Sequence, residues 1–262
     1  MNDFDNYVAQ RMSEVSGHYD ALDFVFLNLG RMNTFKIMPL IAGLFWIWAR
    51  NEAGRRQAVI GTLGAFLALV AARIVQNLGP HRERPISSSL FDFPDGASNP
   101  IVDWSSFPSD TTALACALAT GIFLASRRFG ALAFGWAAFL AAAKLYGGFH
   151  YPSDVLAGAM VGVAATYAVH RSGWFVDWIS DRLEYERVRR PGLVAAIAFV
   201  AAFQLATFFY DIRGAAKAVY RHAAPFASTE TAGADAARPL PSLPDAVVTT
   251  KDANKDGRDI GG

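Results

Sequence analysis

Apolar residues fall into long runs separated by short charged connections. Residues 57–78 contain one charge, Arg73; 111–126 contain none; 129–149 contain one, Lys144; 155–170 and 191–210 contain none. A weaker run, 32–49, is interrupted by Lys36 and ends in the pair Trp46 and Trp48. A helix crosses about 30 Å of hydrocarbon with roughly 20 predominantly apolar residues, so the pattern predicts six spans. This many apolar runs in 262 residues leaves too little polar surface to wrap them in water. The expected fold is all-α, a polytopic membrane helical bundle of about six spans.

Ahead of the spans, Val8, Met12, Val15, Tyr19, Leu22, Phe26 and Leu29 recur at alternating steps of four and three. That is one stripe of an N-terminal amphipathic interfacial helix, expected to lie on the membrane surface, with packing on the bundle or pairing with a second subunit as the alternatives. Beyond about residue 222 the chain turns to Ala, Pro, Ser, Thr and Asp, a composition that buries too little apolar area to fold alone. The expected organisation is therefore an amphipathic segment over 1–34, a membrane-embedded bundle over 35–212 and a flexible tail over 213–262. In the tail, Asp252, Asn254, Asp256, Gly257 and Asp259 have the alternating spacing of a calcium loop, but the sequence supplies no bidentate twelfth position. A solvated tail is the reading.

Charge bears on orientation and on partners. With 24 basic and 23 acidic side chains, the net charge of +1 gives no support for nucleic-acid binding. The single cysteine, Cys116, permits no intramolecular disulfide. Arg50, Arg55 and Arg56, then Arg127 and Arg128, then Arg171, Arg182, Arg187, Arg189 and Arg190 fill alternate connections, which marks them cytoplasmic. The opposite connections carry Arg82 and Arg84 and are expected to face the periplasm or exterior of a bacterial inner membrane. Arg31, Lys36, Arg213, Lys217 and Arg221 argue the other way. No apolar stretch with a small-residue cleavage site opens the sequence, so no cleaved signal peptide is expected.

Polar residues at the outer ends of apolar spans mark function. Three clusters stand there: His81-Arg82-Glu83-Arg84-Pro85; Phe107-Pro108-Ser109-Asp110-Thr111; and Lys144 followed by Gly147 through Asp154. Pro-Ser-Asp occurs twice, at 108–110 and 152–154, each time opening an apolar run. Proline suits the first helical position, and Ser and Asp suit the first turn. Two positive helix ends then face one side of the membrane and, with Arg82, Arg84 and Lys144, make an anion site of phosphate type. His150 and Asp154, four apart, fall on one side of a first helical turn. A carboxylate there can take the proton of one imidazole nitrogen and free the other as a nucleophile. The five histidines, at 18, 81, 150, 170 and 222, lack the spacing of a helical ligand pair, so no metal is expected.

The stretch from about 57 to 172 resembles the type 2 phosphatidic acid phosphatases, which share a fold with vanadium haloperoxidases and bacterial acid phosphatases. Three motifs carry the resemblance: Arg84-Pro85; Pro108-Ser109-Asp110; and His150 with Asp154 in the run His150 to Gly158. Three positions depart from the family pattern. Asn77 stands where the family has lysine, Lys144 where it has arginine, and Thr111 where it has histidine. Arg73, one helical turn before Asn77, or Arg82 beyond it can supply the missing cation. Lysine keeps the charge at 144 but loses the planar fork.

The resemblance implies a membrane lipid phosphatase that needs no cofactor. His150 would attack phosphorus and Asp154 would orient it. Arg84, Ser109, Asp110, Lys144, Arg82 and Arg73 would form the phosphate-binding set, and water would release phosphate from phosphohistidine. The implied role of the residue at 111 is the acid that protonates the leaving oxygen, which a threonine hydroxyl cannot do near neutral pH; His81 is a candidate replacement. A prenyl or polyprenyl diphosphate, such as an undecaprenyl carrier, is then expected over phosphatidic acid, because its leaving group is already a stable anion. The alternatives are a catalytically impaired lipid-phosphate binder or transporter, and a lipid phosphotransferase. The expected partners are the lipid substrate and the bilayer, with a homo-oligomer left open.

Overall fold

The computed structural model describes residues 2–31, 36–94 and 105–207, all within a compact unit, Met1–Ile212. The 213–262 segment, with its calcium-like spacing, lies outside the described residues. Among the described residues every regular element is helical: α1 (Asp3–Val15), α2 (Asp20–Arg31), α3 (Met38–Arg50), α4 (Glu52–Leu78), α5 (Asp110–Ala125), α6 (Arg127–Tyr146), α7 (Pro152–Arg171), α8 (Gly173–Arg189) and α9 (Pro191–Thr207), with a short 3-10 turn at Pro85–Ser87. The all-α membrane bundle of the sequence reading is the fold found.

Each of the six apolar runs holds a helix, but they are unequal. By length and composition, α4, α6 and α7, of 27, 20 and 20 residues, can cross a bilayer; α3, α5 and α9 are shorter apolar helices. For α5 the shortness has a packing reason. It touches α3, α4, α6 and α7 and is buried from Thr111 to Ile122, so its backbone is sheathed by protein rather than lipid. Large apolar side chains exposed on the outer helices, among them Leu67, Val70, Leu132, Leu156 and Met160, fit a surface turned to hydrocarbon.

Small residues let the central helices meet closely. A Cβ on Gly158 of α7 would collide with the Ser109 carbonyl of α5, and one on Gly162 with the Ala113 carbonyl. A Cβ on Gly121 would strike the backbone of Gly61 in α4.

Two elements differ from the sequence reading. The N-terminal stripe is divided into α1 and α2 by a turn in which Gly17 adopts φ 88°. Asp23 secures that turn, accepting from the Gly17 amide at 2.8 Å and from the Tyr146 hydroxyl at 2.6 Å. Both helices pack on the bundle, α1 against α6 and α7 and α2 against α6. The arginine-rich connection after α7 is not a loop but the helix α8. Its Asp177 and Glu184 pair with Arg56 and Arg55 at the start of α4, at 2.8 and 2.9 Å.

Candidate active site

Chain direction alternates from helix to helix, so the carboxyl ends of α4 and α6 and the amino ends of α5 and α7 gather at one end of the bundle. Ser109 caps α5, its hydroxyl accepting the Thr112 amide, and its own N–H donates to the Asp154 carbonyl at 3.0 Å. The starts of α5 and α7 are thereby tied through main chain. The α6–α7 connection turns at Gly148, whose φ of 67° favours glycine and against which the Phe93 ring is pressed.

That turn places His150, 3% exposed, at the centre of the site. Its Nδ1 lies 2.9 Å from the Ser106 carbonyl, an acceptor only, so Nδ1 carries the proton. Nε2 then holds a lone pair and sits 3.4 Å from Arg84 Nη1. Burial pushes the imidazole down to about 4 despite the neighbouring Asp154 carboxylate, which keeps the ring neutral at pH 7. The Asp154 carboxylate is 3.8 Å from Nδ1. Instead, it accepts from the Tyr151 amide at 2.8 Å and from Arg82 Nη1 at 2.5 Å. It fixes the first turn of α7 and an arginine, while the Ser106 carbonyl accepts the hydrogen bond from the imidazole Nδ1–H.

The cations divide into two groups. Arg82 belongs to a structural clasp: it also donates to Ser153 Oγ and, at 2.7 Å, to Asp5 of α1, and lies over the Tyr151 ring. Asp5 is 1% exposed and accepts from the Ser153 amide and hydroxyl as well. Burial raises the Asp5 carboxyl, but its bonds to Ser153 and Arg82 outweigh that and hold it below the usual range. The amino end of α7 is thus answered by two carboxylates of the chain itself, Asp154 and Asp5.

The second group surrounds Asp110. Arg73 donates to its Oδ2 at 2.6 Å and braces Gln76, which donates to the Pro108 carbonyl at 2.8 Å. Asp110 therefore serves as a counter-charge, facing His150, Arg84 and Lys36 too. Arg84 is buried, donates to the Phe149 carbonyl at 2.8 Å, and has an Nε–H with no partner among the described residues. Lys144 is buried over the Phe149 ring and donates to the Gly30 carbonyl of α2 at 2.7 Å.

Of the altered positions, Asn77 is exposed, and Thr111 is buried with its hydroxyl on Asp110 Oδ1 at 3.4 Å. His81 is exposed. Sequence reasoning missed three participants. The Ser106 carbonyl has no side-chain signature, Asp5 sits in a helix that reads as peripheral, and Lys36 precedes the matched motifs by a whole helix. A buried charge near an apolar helix start was the available signal for Lys36.

Residues 57–178 match the PAP2 superfamily model. The chain is 29% identical over 151 residues to the bacitracin transport permease protein BcrC of Bacillus licheniformis, covering 56% of this chain and 67% of that protein. Among solved structures, LpxE of Aquifex aeolicus aligns with 20% identity and a TM-score of 0.47, over 63% of this chain and 93% of that one. The stretch matched by the PAP2 superfamily model, residues 57–178, supplies every side chain at the centre of the site except Lys36 and Asp5.

Proposed function

We propose that this protein is a membrane lipid-phosphate hydrolase that prefers a prenyl or polyprenyl diphosphate and works through a phosphohistidine. The observation that carries the reading is a buried neutral imidazole whose Nδ1–H is committed to Ser106, with Nε2 facing Arg84 inside a cluster of cations. Nε2 attacks the terminal phosphorus; the N–P bond forms as the bridging P–O bond breaks, and the electron pair leaves on oxygen. Water then attacks phosphorus, the N–P bond breaks, and the pair returns to Nε2 as inorganic phosphate departs. Arg84, with its unanswered Nε–H, and the neighbouring cations stabilise charge on the equatorial oxygens, the main requirement of phosphoryl transfer. The lipid bilayer delivers the substrate, and the arginine distribution supports a site on the periplasmic or outer face of the membrane.

Thr111 supports the diphosphate preference. General acid catalysis is worth about 10²- to 10⁴-fold, or roughly 3 to 5.5 kcal/mol. An alkoxide leaving group forfeits that help, whereas a lipid monophosphate leaves without a proton. The test is a panel of lipid mono- and diphosphates, with chelator present, on the native chain and His150→Ala. Phosphate release from farnesyl diphosphate that vanishes in His150→Ala is expected. Equal rates on phosphatidate and farnesyl diphosphate would refute the preference.

Two observations favour a second reading, a lipid-phosphate binder or transporter: the Thr111 hydroxyl rests on Asp110, and the relative in Bacillus licheniformis is named a transport permease. Lipid binding with no release in any arm would select it. Release only with an added acceptor would select a phosphotransferase.

A further inference from the structure

Both α6 and α7 pack against α5, yet among the described residues they make no comparable contact with each other. The gap between them is a groove of about 570 Å³, floored by Cys116 of α5 and walled by Phe134 of α6 and by Ala159, Met160, Val163 and Tyr167 of α7. That volume falls within the range of about 300–1,000 Å³ typical of small-molecule sites. No charged side chain lines it, so a headgroup would leave its water there without compensation. Since α6 and α7 are long and apolar enough to cross a bilayer, the groove opens onto hydrocarbon. Its depth below the site follows from helix rise. On α7 it runs from Ala159, about 8 Å beyond Asp154, to Tyr167, about 20 Å beyond it. Cys116, about 9 Å beyond Asp110 on α5, falls in the same interval. The exposed side chains of Leu156, Met160, Val163 and Tyr167 follow one face of α7, so an apolar track leaves its first turn and enters the groove.

We infer that the groove between α6 and α7 holds the hydrocarbon chain of the substrate and selects prenyl diphosphates by chain length. This rests on the hydrolase reading and deepens it. The occupant follows from continuity: α5 and α7, which carry the site on their first turns, also build the groove, and the track on α7 joins the two. A phosphate held at the helix starts fixes where its chain begins. A bulk phospholipid has no such anchor. An extended chain advances about 1.2 Å per bond, and each isoprenoid unit adds four bonds to its length. A single unit then reaches about 5 Å and stops short of Ala159, whereas four units reach about 19 Å and fill the groove to Tyr167. Surrounding lipid is as apolar as the protein, so the chain gains close packing against Cys116, Phe134 and Met160 rather than escape from water.

The experiment fills the groove and reads the effect against chain length. Ala164 lines the groove, is exposed, and lies well away from the site, so Ala164→Trp adds bulk there without disturbing the core. The purified full chain in detergent is assayed with dimethylallyl diphosphate, of one isoprenoid unit, and geranylgeranyl diphosphate, of four. Ala164→Trp is expected to lower kcat/KM on the longer substrate by about tenfold, the low end of discrimination by fit in an apolar pocket, and to leave the shorter one unchanged. Equal losses on both, or no loss on the longer one, overturn the proposal. A second arm locates the chain directly, using a geranylgeranyl diphosphate with a diazirine at the far end of its chain and His150→Ala protein. Photolabel is expected on α7 between Met160 and Tyr167 and on Phe134, suppressed by unlabelled geranylgeranyl diphosphate and not by the same excess of phosphatidylglycerol. Equal suppression by phosphatidylglycerol makes the groove a seat for bulk lipid, and label elsewhere makes it a seat for something other than the substrate; either overturns the proposal. If native protein releases no phosphate from any substrate but the groove is still labelled and Ala164→Trp abolishes the label, the hydrolase reading falls and the chain site stands.

Discussion

Replacing Asp5 tests how the first helix is joined to the site. Its carboxylate is 1% exposed and accepts three bonds: Ser153 amide at 3.0 Å, Ser153 hydroxyl at 2.5 Å and Arg82 Nη2 at 2.7 Å. Asp5→Ala strips the acceptor from all three. Arg82 keeps Asp154 and Ser153 Oγ, so its charge is not orphaned, but the Ser153 amide in the first turn of α7 is. Breaking a buried ion pair costs about 3–5 kcal/mol, and an unsatisfied buried donor about 1–3. With Arg82 still partnered, about 3 kcal/mol is expected for Asp5→Ala. Asp5→Asn, whose carbonyl still accepts the Ser153 amide, should lose roughly half of that. The loss should localise: faster proteolysis in the turn at 16–19 and a lower unfolding midpoint in detergent. The sign with pH follows from the lowered carboxyl: the contribution is full above the ordinary carboxylate range and vanishes as acid protonates Asp5 in the folded state. A midpoint and a cleavage rate unchanged in Asp5→Ala would refute the clasp.

Two further predictions concern the imidazole and the helix seam. Because the folded His150 value lies near 4 rather than 6.5, the ring stays unprotonated as pH falls through 6, and stability declines between about 6.5 and 4 by up to about 3 kcal/mol. A ¹⁵N-histidine titration in micelles should show no His150 protonation at pH 6; a midpoint near 6.5 would contradict the burial. Gly158→Ala would push a methyl into the Ser109 carbonyl and force α5 and α7 apart. Overpacking of this kind costs about 1–3 kcal/mol, and the unfolding midpoint should fall together with phosphate release.

Periodicity and charge counts made the apolar helices and the end of the bundle that gathers the candidate site legible, because both depend on near-neighbour spacing. Failures arose where distant chain segments decide the outcome. The four-residue spacing of His150 and Asp154 suggested a direct bond, but the acceptor is a main-chain carbonyl 44 residues away. Asp110 reads as a phosphate-site residue, yet a carboxylate beside Arg73 is better placed to balance charge. Arg82 reads as a ligand for substrate and is instead held by Asp5 and Asp154. The ten-arginine side read as loops includes α8, whose ion pairs to Arg55 and Arg56 span more than a hundred residues.

The link between Ser109 N–H and the Asp154 carbonyl, with Gly158 packed on the Ser109 carbonyl, joins the mouths of two helices using peptide groups alone. Apart from the glycine that the close approach requires, this seam asks for no particular side chain. Substitution at 111 or 144 can therefore change the surroundings of His150 while the two helix starts stay joined.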